Sequence, residues 1–295
     1  MDKIKCYIVS GFIDAGKTTY IQENIFRDFF HKRGSTLILS FEDGEVSYDE
    51  ERLAAFRTYK EQYTGGETIP AFCLSRLEKH KPDRVFIEAN AMTDGLISEL
   101  SKLFLICDRT VLFDGETFPV YFQNMRQLVQ NMVTDANMVI FQKCASKEPL
   151  SPFATDLRLM NDRCTYLWES PLGYSEQAFG LSLPYSLDTD SLSISEKDFP
   201  IWFLDVKRTP SHYFGKTVKC TLNIRLRNDL LPGHFIAGKL LMPCCPADMQ
   251  FCGVECINET GLTLKDNDTA QLVLKGAAAS NSSGIIFSAT EIIPS

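Results

Sequence analysis

Gly11-Phe12-Ile13-Asp14-Ala15-Gly16-Lys17-Thr18 carries glycines at its first and sixth positions and ends on a lysine followed by a hydroxyl residue. Upstream, Lys5–Ser10 reads as a short strand. Downstream, Thr18–Phe30 places Ile21, Ile25, Phe26, Phe29 and Phe30 on one helical face. The spacing matches Walker A, and a strand before it with a helix after it is the context in which that spacing means a phosphate loop. A chance glycine turn beside a lysine is the rival reading, and the flanking pattern weighs against it. Glycines let the backbone curl until successive N–H groups face an anion, and the helix start adds its dipole. Lys17 then reaches the β/γ oxygens of a nucleoside triphosphate, and the Thr18 hydroxyl ligates magnesium. Gly11, Asp14, Ala15, Gly16, Lys17, Thr18 and Thr19 are the candidate nucleotide-binding residues.

Outward from this loop, β-branched runs alternate with amphipathic stretches. Strands are expected at Thr36–Phe41, Arg84–Glu88, Thr110–Phe113, Asn137–Gln142 and Thr165–Trp168, with a helix over Phe118–Val133. That pattern predicts an α/β fold with a mainly parallel sheet flanked by helices over residues 1–168. Residues 169–200 are rich in Ser, Pro, Gly and Asp and read as a connection. From 201 to 295 short alternating runs at Thr217–Arg227, His234–Met242, Gln250–Ile257, Ala270–Leu274 and Gly284–Ile292 predict a small antiparallel β-barrel, OB-like in kind.

The chain has 295 residues, 44% of them hydrophobic, a net charge of −8 and ten cysteines. Its length suits two domains. The acidic balance argues against duplex nucleic acid or an anionic membrane as partner. The apolar run at Cys6–Val9 is too short for a signal peptide or a membrane span, so a cytoplasmic location with reduced thiols is expected. Four histidines at 31, 80, 212 and 234 form no i, i+4 pair, and no serine nucleophile elbow is visible.

Gly11–Thr19 resembles the opening of the CobW/HypB/UreG family of metal-allocating GTPases, Gly-Phe-Leu-x-x-Gly-Lys-Thr-Thr. Glu42-Asp43-Gly44-Glu45 resembles that family's first switch, and Pro82–Glu88 its strand ending in glutamate. Asn137–Lys143 stands in the place of the strand that leads to the guanine-reading Asn-Lys-x-Asp. The resemblance implies GTP with Mg²⁺ as ligands, Lys17 and Glu88 as catalytic groups, and Glu42 and Glu88 beside Thr18 at the metal. It also implies Gln142 and Lys143 at the base, a homodimer and a client metalloprotein. The chain departs from the family at Gln142-Lys143-Cys144-Ala145, where Ala145 lacks the base-reading carboxylate and leaves GTP and ATP both open. Ala91 stands where a switch glycine is expected, and of the family's Cys-x-Cys-Cys only Cys73 remains.

Cys244, Cys245, Cys252 and Cys256 fall within thirteen residues. Thiolates bind Zn²⁺ or Cu⁺ tightly, and Cys244 and Cys245 with Cys256, plus Asp248, Cys252 or His234, can complete four-coordination; buried apolar thiols in a barrel are the rival reading. The stretch Phe235–Cys256 also resembles a bacterial permease-associated, zinc-responsive β-domain with Cys-Cys-x-x-Asp, which matches Cys244, Cys245 and Asp248 and then Cys256. The resulting expectation is a Mg-dependent triphosphatase coupled to transition-metal trafficking, zinc foremost. A non-hydrolysing nucleotide and metal sensor is the alternative, and a small-molecule kinase ranks last.

Overall fold

The computed structural model describes residues 3–27, 34–42, 44, 46–91, 95–144, 150–176, 181–242, 249–279 and 284–294. The chain divides into two units, Met1–Phe179 and Gly180–Ser295. In the first, the order is β1 (Lys5–Gly11), α1 (Lys17–Ile25), β2 (Thr36–Ser40), α2 (Glu50–Ala55), β3 (Thr58–Gln62), α3 (Ile69–His80), β4 (Arg84–Asn90) and α4 (Leu96–Leu103). There follow β5 (Leu105–Asp114), α5 (Phe118–Asn124), α6 (Arg126–Thr134), β6 (Met138–Gln142), α7 (Ala154–Met160), β7 (Thr165–Ser170) and β8 (Gly173–Ser175).

These strands form one sheet in the order β3-β2-β4-β1-β5-β6-β7-β8. Every pairing is parallel except the last, β7 with β8. Successive residues of a strand face opposite sides, so Ile8, Leu37 and Ile87 join Phe72 and Leu100 in one core layer. Val9, Ile38 and Phe86 join Ile21 and Ile25 of α1 in the other. Because both faces are covered, the central strands read as continuous apolar runs.

Two details differ from the sequence expectation. The helix expected over Phe118–Val133 is broken at Met125, whose φ of −132° and ψ of 37° leave the helical region. The edge strand β3 escaped prediction because Thr58-Tyr59-Lys60-Glu61-Gln62 buries only Thr58 fully and lacks an apolar alternation. Among the described residues no helix is long and apolar enough to cross a membrane.

The second unit holds β9 (Ser191–Ile194), α8 (Phe199–Arg208), β10 (Thr217–Arg225), β11 (His234–Leu241), β12 (Gln250–Asn258), β13 (Thr269–Ala278) and β14 (Ile285–Pro294). The sheet order β11-β12-β14-β13-β10-β9, with a further pairing of β11 to β10, closes five strands into a barrel. β12 and β14 pair in parallel and β9 adds in parallel to β10. Val218, Cys220, Leu222 and Ile224 point inward from β10, as a half-buried strand requires. Gly238 opposes Gly253 across β11 and β12, and a Cβ on Gly238 would stand 2.1 Å from the Cys252 carbonyl oxygen. Residues 201–205, expected to lead into the barrel strands, lie within α8. Its Phe199, Trp202, Phe203 and Val206 recur at helical spacing and enter the barrel core.

Candidate functional site

β1 ends at Gly11 and α1 begins at Lys17, so the loop between them leaves the carboxyl end of a central parallel strand and enters a helix N-terminus. The turn uses left-handed backbone at Asp14 (φ 60°) and Gly16 (φ 84°). A Cβ at Gly16 would in addition press on the end of the Gln142 side chain, which would have to shift. At Gly11 a Cβ would stand 2.4 Å from the Leu112 carbonyl oxygen. Gly16 caps α1 with no side-chain hydrogen bond. The Ala15 amide donates to the Phe12 carbonyl at 3.3 Å, while the amides of Ile13, Asp14, Gly16, Lys17 and Thr18 take no backbone acceptor among the described residues. Such a row of open N–H groups at a helix start is an anion cradle.

Lys17 is 3% exposed. Its ammonium donates to the carbonyls of Phe12 and, at 3.3 Å, Gly11, and pairs with Glu42 Oε1 at 2.9 Å. Thr18 Oγ donates to Glu88 Oε1 at 2.6 Å, and Ser40 Oγ donates to Glu88 Oε2 at 2.8 Å. Glu88 is 2% exposed and sits opposite Ser40 in the β2–β4 register, which explains how a carboxylate is fixed so deep. The structure brings Gly16, Lys17, Thr18, Glu42 and Glu88 together. Ser40 and Tyr48 are additions that motif reading missed. Ser40 signalled itself only as a hydroxyl closing an apolar strand ahead of an acidic segment, and Tyr48 carried no signal.

The pocket is oxygen-rich and electrically unbalanced. Two buried carboxylates face one ammonium. Among the described residues, Glu42 Oε2 and the Tyr48 hydroxyl are buried with no hydrogen-bond partner. Burial raises the Glu42 carboxyl above its ordinary value, and Lys17 draws it partly back. Burial and the neighbouring Glu88 charge hold the Tyr48 phenol well above its usual range. Surplus negative charge and orphaned oxygens next to a hydroxyl fit a hard divalent cation such as Mg²⁺.

Asp14, Gly16, Lys17, Thr18, Thr19, Glu42, Gly44, Val46 and Lys143 line one cleft of about 410 Å³. Lys143 joins it from the end of β6: its ammonium donates to the Asp14 carbonyl at 2.8 Å and pairs with Asp114 Oδ2 at 3.1 Å. Gln142 packs against Gly16, and its Nε2 lies 3.5 Å from the Tyr174 hydroxyl. Ala145 and the switch residues Asp43 and Glu45 lie outside the described residues.

Cys244, Cys245 and Asp248 of the expected thiolate site also lie outside them. Cys256 is 0% exposed, within the barrel core. Burial, with Cys220 nearby, holds its thiol well above the ordinary value and therefore neutral. Cys256 is thus packed as a core residue of the barrel. His234 bonds Glu255 Oε1 through Nδ1 at 2.6 Å. No group of three or more metal-binding side chains occurs among the described residues.

No protein-family model and no curated protein matches this chain. Solved structures do. The hydrogenase maturation factor HypB from Archaeoglobus fulgidus is 20% identical, with TM-score 0.41, over 56% of this chain and 80% of that one. Zn(II)-bound YjiA GTPase from E. coli is 16% identical, with TM-score 0.41, over 86% and 89%. HypB from Helicobacter pylori in complex with nickel is 16% identical, with TM-score 0.34, over 70% and 88%. The first unit is a P-loop-type α/β fold and the second a closed five-stranded barrel, and function is read from the residues of the loop.

Proposed function

We propose that the first unit is a magnesium-dependent nucleoside triphosphatase that takes GTP or ATP at Gly11–Thr19, with GTP favoured. The open amides of the loop, 13, 14 and 16–18, are the observation that carries this reading. The triphosphate tail lies over these amides, and Lys17 exchanges Glu42 for phosphate oxygens. Mg²⁺, held by Thr18 with Glu88 and Glu42, supplies charge neutralisation on the phosphates. Glu88 fixes the Thr18 hydroxyl and accepts from Ser40, so the carboxylate is preorganised before substrate arrives. Catalysis is positional and electrostatic, as phosphoryl transfer requires.

We further propose that nucleotide state governs metal capture or delivery, zinc foremost, with Cys244, Cys245 and Asp248 as ligands and a client metalloprotein as recipient, the protein acting in the cytoplasm and as a homodimer. The buried Lys17–Glu42 pair favours a second reading, a slow sensor that holds nucleotide and barely hydrolyses it, because the catalytic lysine starts occupied. Phosphate release from GTP and ATP, with and without Mg²⁺, tests both. Magnesium-dependent release that Lys17→Ala abolishes supports the triphosphatase. Tight binding without release supports the sensor, and turnover unchanged in Lys17→Ala contradicts both.

A further inference from the structure

Beyond the phosphate end of the cleft, the residue that follows β6 is held by a carboxylate of β7 to which the sequence pattern gives no role. The Lys143 amide donates to Glu169 Oε2 at 2.8 Å, from the end of β7. Lys143 itself lines the cleft and reaches the Asp14 carbonyl at 2.8 Å, so Glu169 is tied directly to the residue that joins the phosphate loop to the β6 end. With the tail on Lys17 and Thr18, the base is assigned to the Lys143 end of the cleft, where Glu169 stands one hydrogen bond behind Lys143.

Two other carboxylates stand near. Asp114 is fully committed: Oδ2 pairs with Lys143 at 3.1 Å, and Oδ1 accepts the Glu116 amide at 2.9 Å and the Thr117 amide at 3.3 Å. Glu116 is exposed, on the turn after β5, and acts on Cys144 more weakly than Glu169 does. Glu169 is half-buried, and among the described residues its Oε1 has no recorded partner. It is also placed rigidly, since Glu169 pairs with Tyr174 in the β7–β8 ladder and the Tyr174 hydroxyl meets Gln142. Burial and the Glu169 charge push the adjacent Cys144 thiol up to about 11, which keeps that thiol neutral at the same spot.

We propose that Glu169 is the base-reading residue, its carboxylate accepting the ring N–H and amino group of guanine in place of the side chain that Ala145 lacks. The inference rests on the nucleotide reading of the cleft. Guanine presents two adjacent donors, N1–H and N2–H₂, to an acceptor-only carboxylate. Adenine sets a lone pair at N1 beside its amino donor, so one carboxylate oxygen meets a lone pair. Discrimination of this kind arises because the mismatched base leaves a polar group unpaired.

Equilibrium binding of fluorescent GTP and ATP analogues to the full chain tests it, using wild type, Glu169→Gln and Glu116→Gln, with thermal melting of each. Glutamine retains a carbonyl oxygen for the Lys143 amide, so the loop is expected to keep its shape. Wild type is expected to prefer GTP by about 10- to 100-fold, as two base-edge bonds provide. Glu169→Gln is expected to weaken GTP about 10-fold or more while ATP affinity holds, and Glu116→Gln to change neither. Should Glu169→Gln melt early, inosine triphosphate, which lacks the amino group, is compared with GTP on wild type; equal affinity then overturns the proposal. Both nucleotides bound with an unaltered ratio in a well-folded Glu169→Gln overturns Glu169 as reader and leaves the triphosphate site standing. Loss of preference in Glu116→Gln instead moves the role there. Wild type that binds neither nucleotide removes the site itself, and this inference with it.

Discussion

The Lys17 ammonium lies 2.9 Å from Glu42 Oε1, with both side chains almost fully buried. A phosphate can take the lysine only by displacing that carboxylate. Glu42→Gln is therefore expected to raise nucleotide affinity about 3- to 10-fold when measured in chelator, where no metal contact is lost, in line with about 1 kcal/mol for a weakened ion pair. Titration calorimetry reads the change. Equal or weaker binding by the variant would show that Glu42 does not restrain Lys17.

The same carboxylate makes stability depend on pH. Its folded value is raised above the ordinary 4.5, chiefly by burial. The folded state therefore holds the proton more tightly than the unfolded chain does. The resulting stabilisation is complete below 4.5 and is lost as pH rises through the raised folded value. Melting temperatures of wild type relative to Glu42→Gln should fall across the window just above pH 4.5. Parallel profiles would contradict the assignment.

Gly16→Ala brings two separate costs, a left-handed φ of 84° and a Cβ 2.0 Å from Gln142 Oε1. Together they should destabilise the first unit by about 1–3 kcal/mol. Adding Gln142→Ala should recover the steric part and leave about 1 kcal/mol of backbone strain. Chemical denaturation of the single and double variants separates the two. No recovery would mean that the close approach to Gln142 carries no weight.

Much of this architecture was legible. The 3.6-residue and two-residue periods placed all five barrel strands and the central parallel strands, because those elements bury one or both faces and their side chains must repeat accordingly. The turn at Gly11–Thr18 was legible because its glycine spacing and its place between a strand and a helix are local features of the sequence. Ser40 and Glu169 were not, since each meets a partner tens of residues away, Glu88 and Lys143, that only the packing of the strands brings close; nor was Tyr48, which is buried beside Glu88 from outside any strand. The alternation along β12 did hold a signal about the cysteines: Cys252, Val254 and Cys256 share one face, which turns toward the barrel core.

That face leads to a prediction for the metal. Elemental analysis of protein purified without chelator should find transition metal in wild type and in Cys256→Ala, and little in Cys244→Ser/Cys245→Ser. Cys256→Ala should instead lose about 1 kcal/mol of stability, as a shrunken core side chain does. Metal lost equally from both variants would return Cys256 to the ligand set.

The central claim is that the backbone between Gly11 and Thr18 receives a triphosphate. Amide ¹H–¹⁵N spectra recorded while a non-hydrolysable Mg·GTP analogue is added test it at the atoms concerned. Saturable shifts of the Ile13, Asp14, Gly16, Lys17 and Thr18 amides, absent in Lys17→Ala, are the predicted result. Unmoved resonances at those five positions under millimolar nucleotide would contradict it.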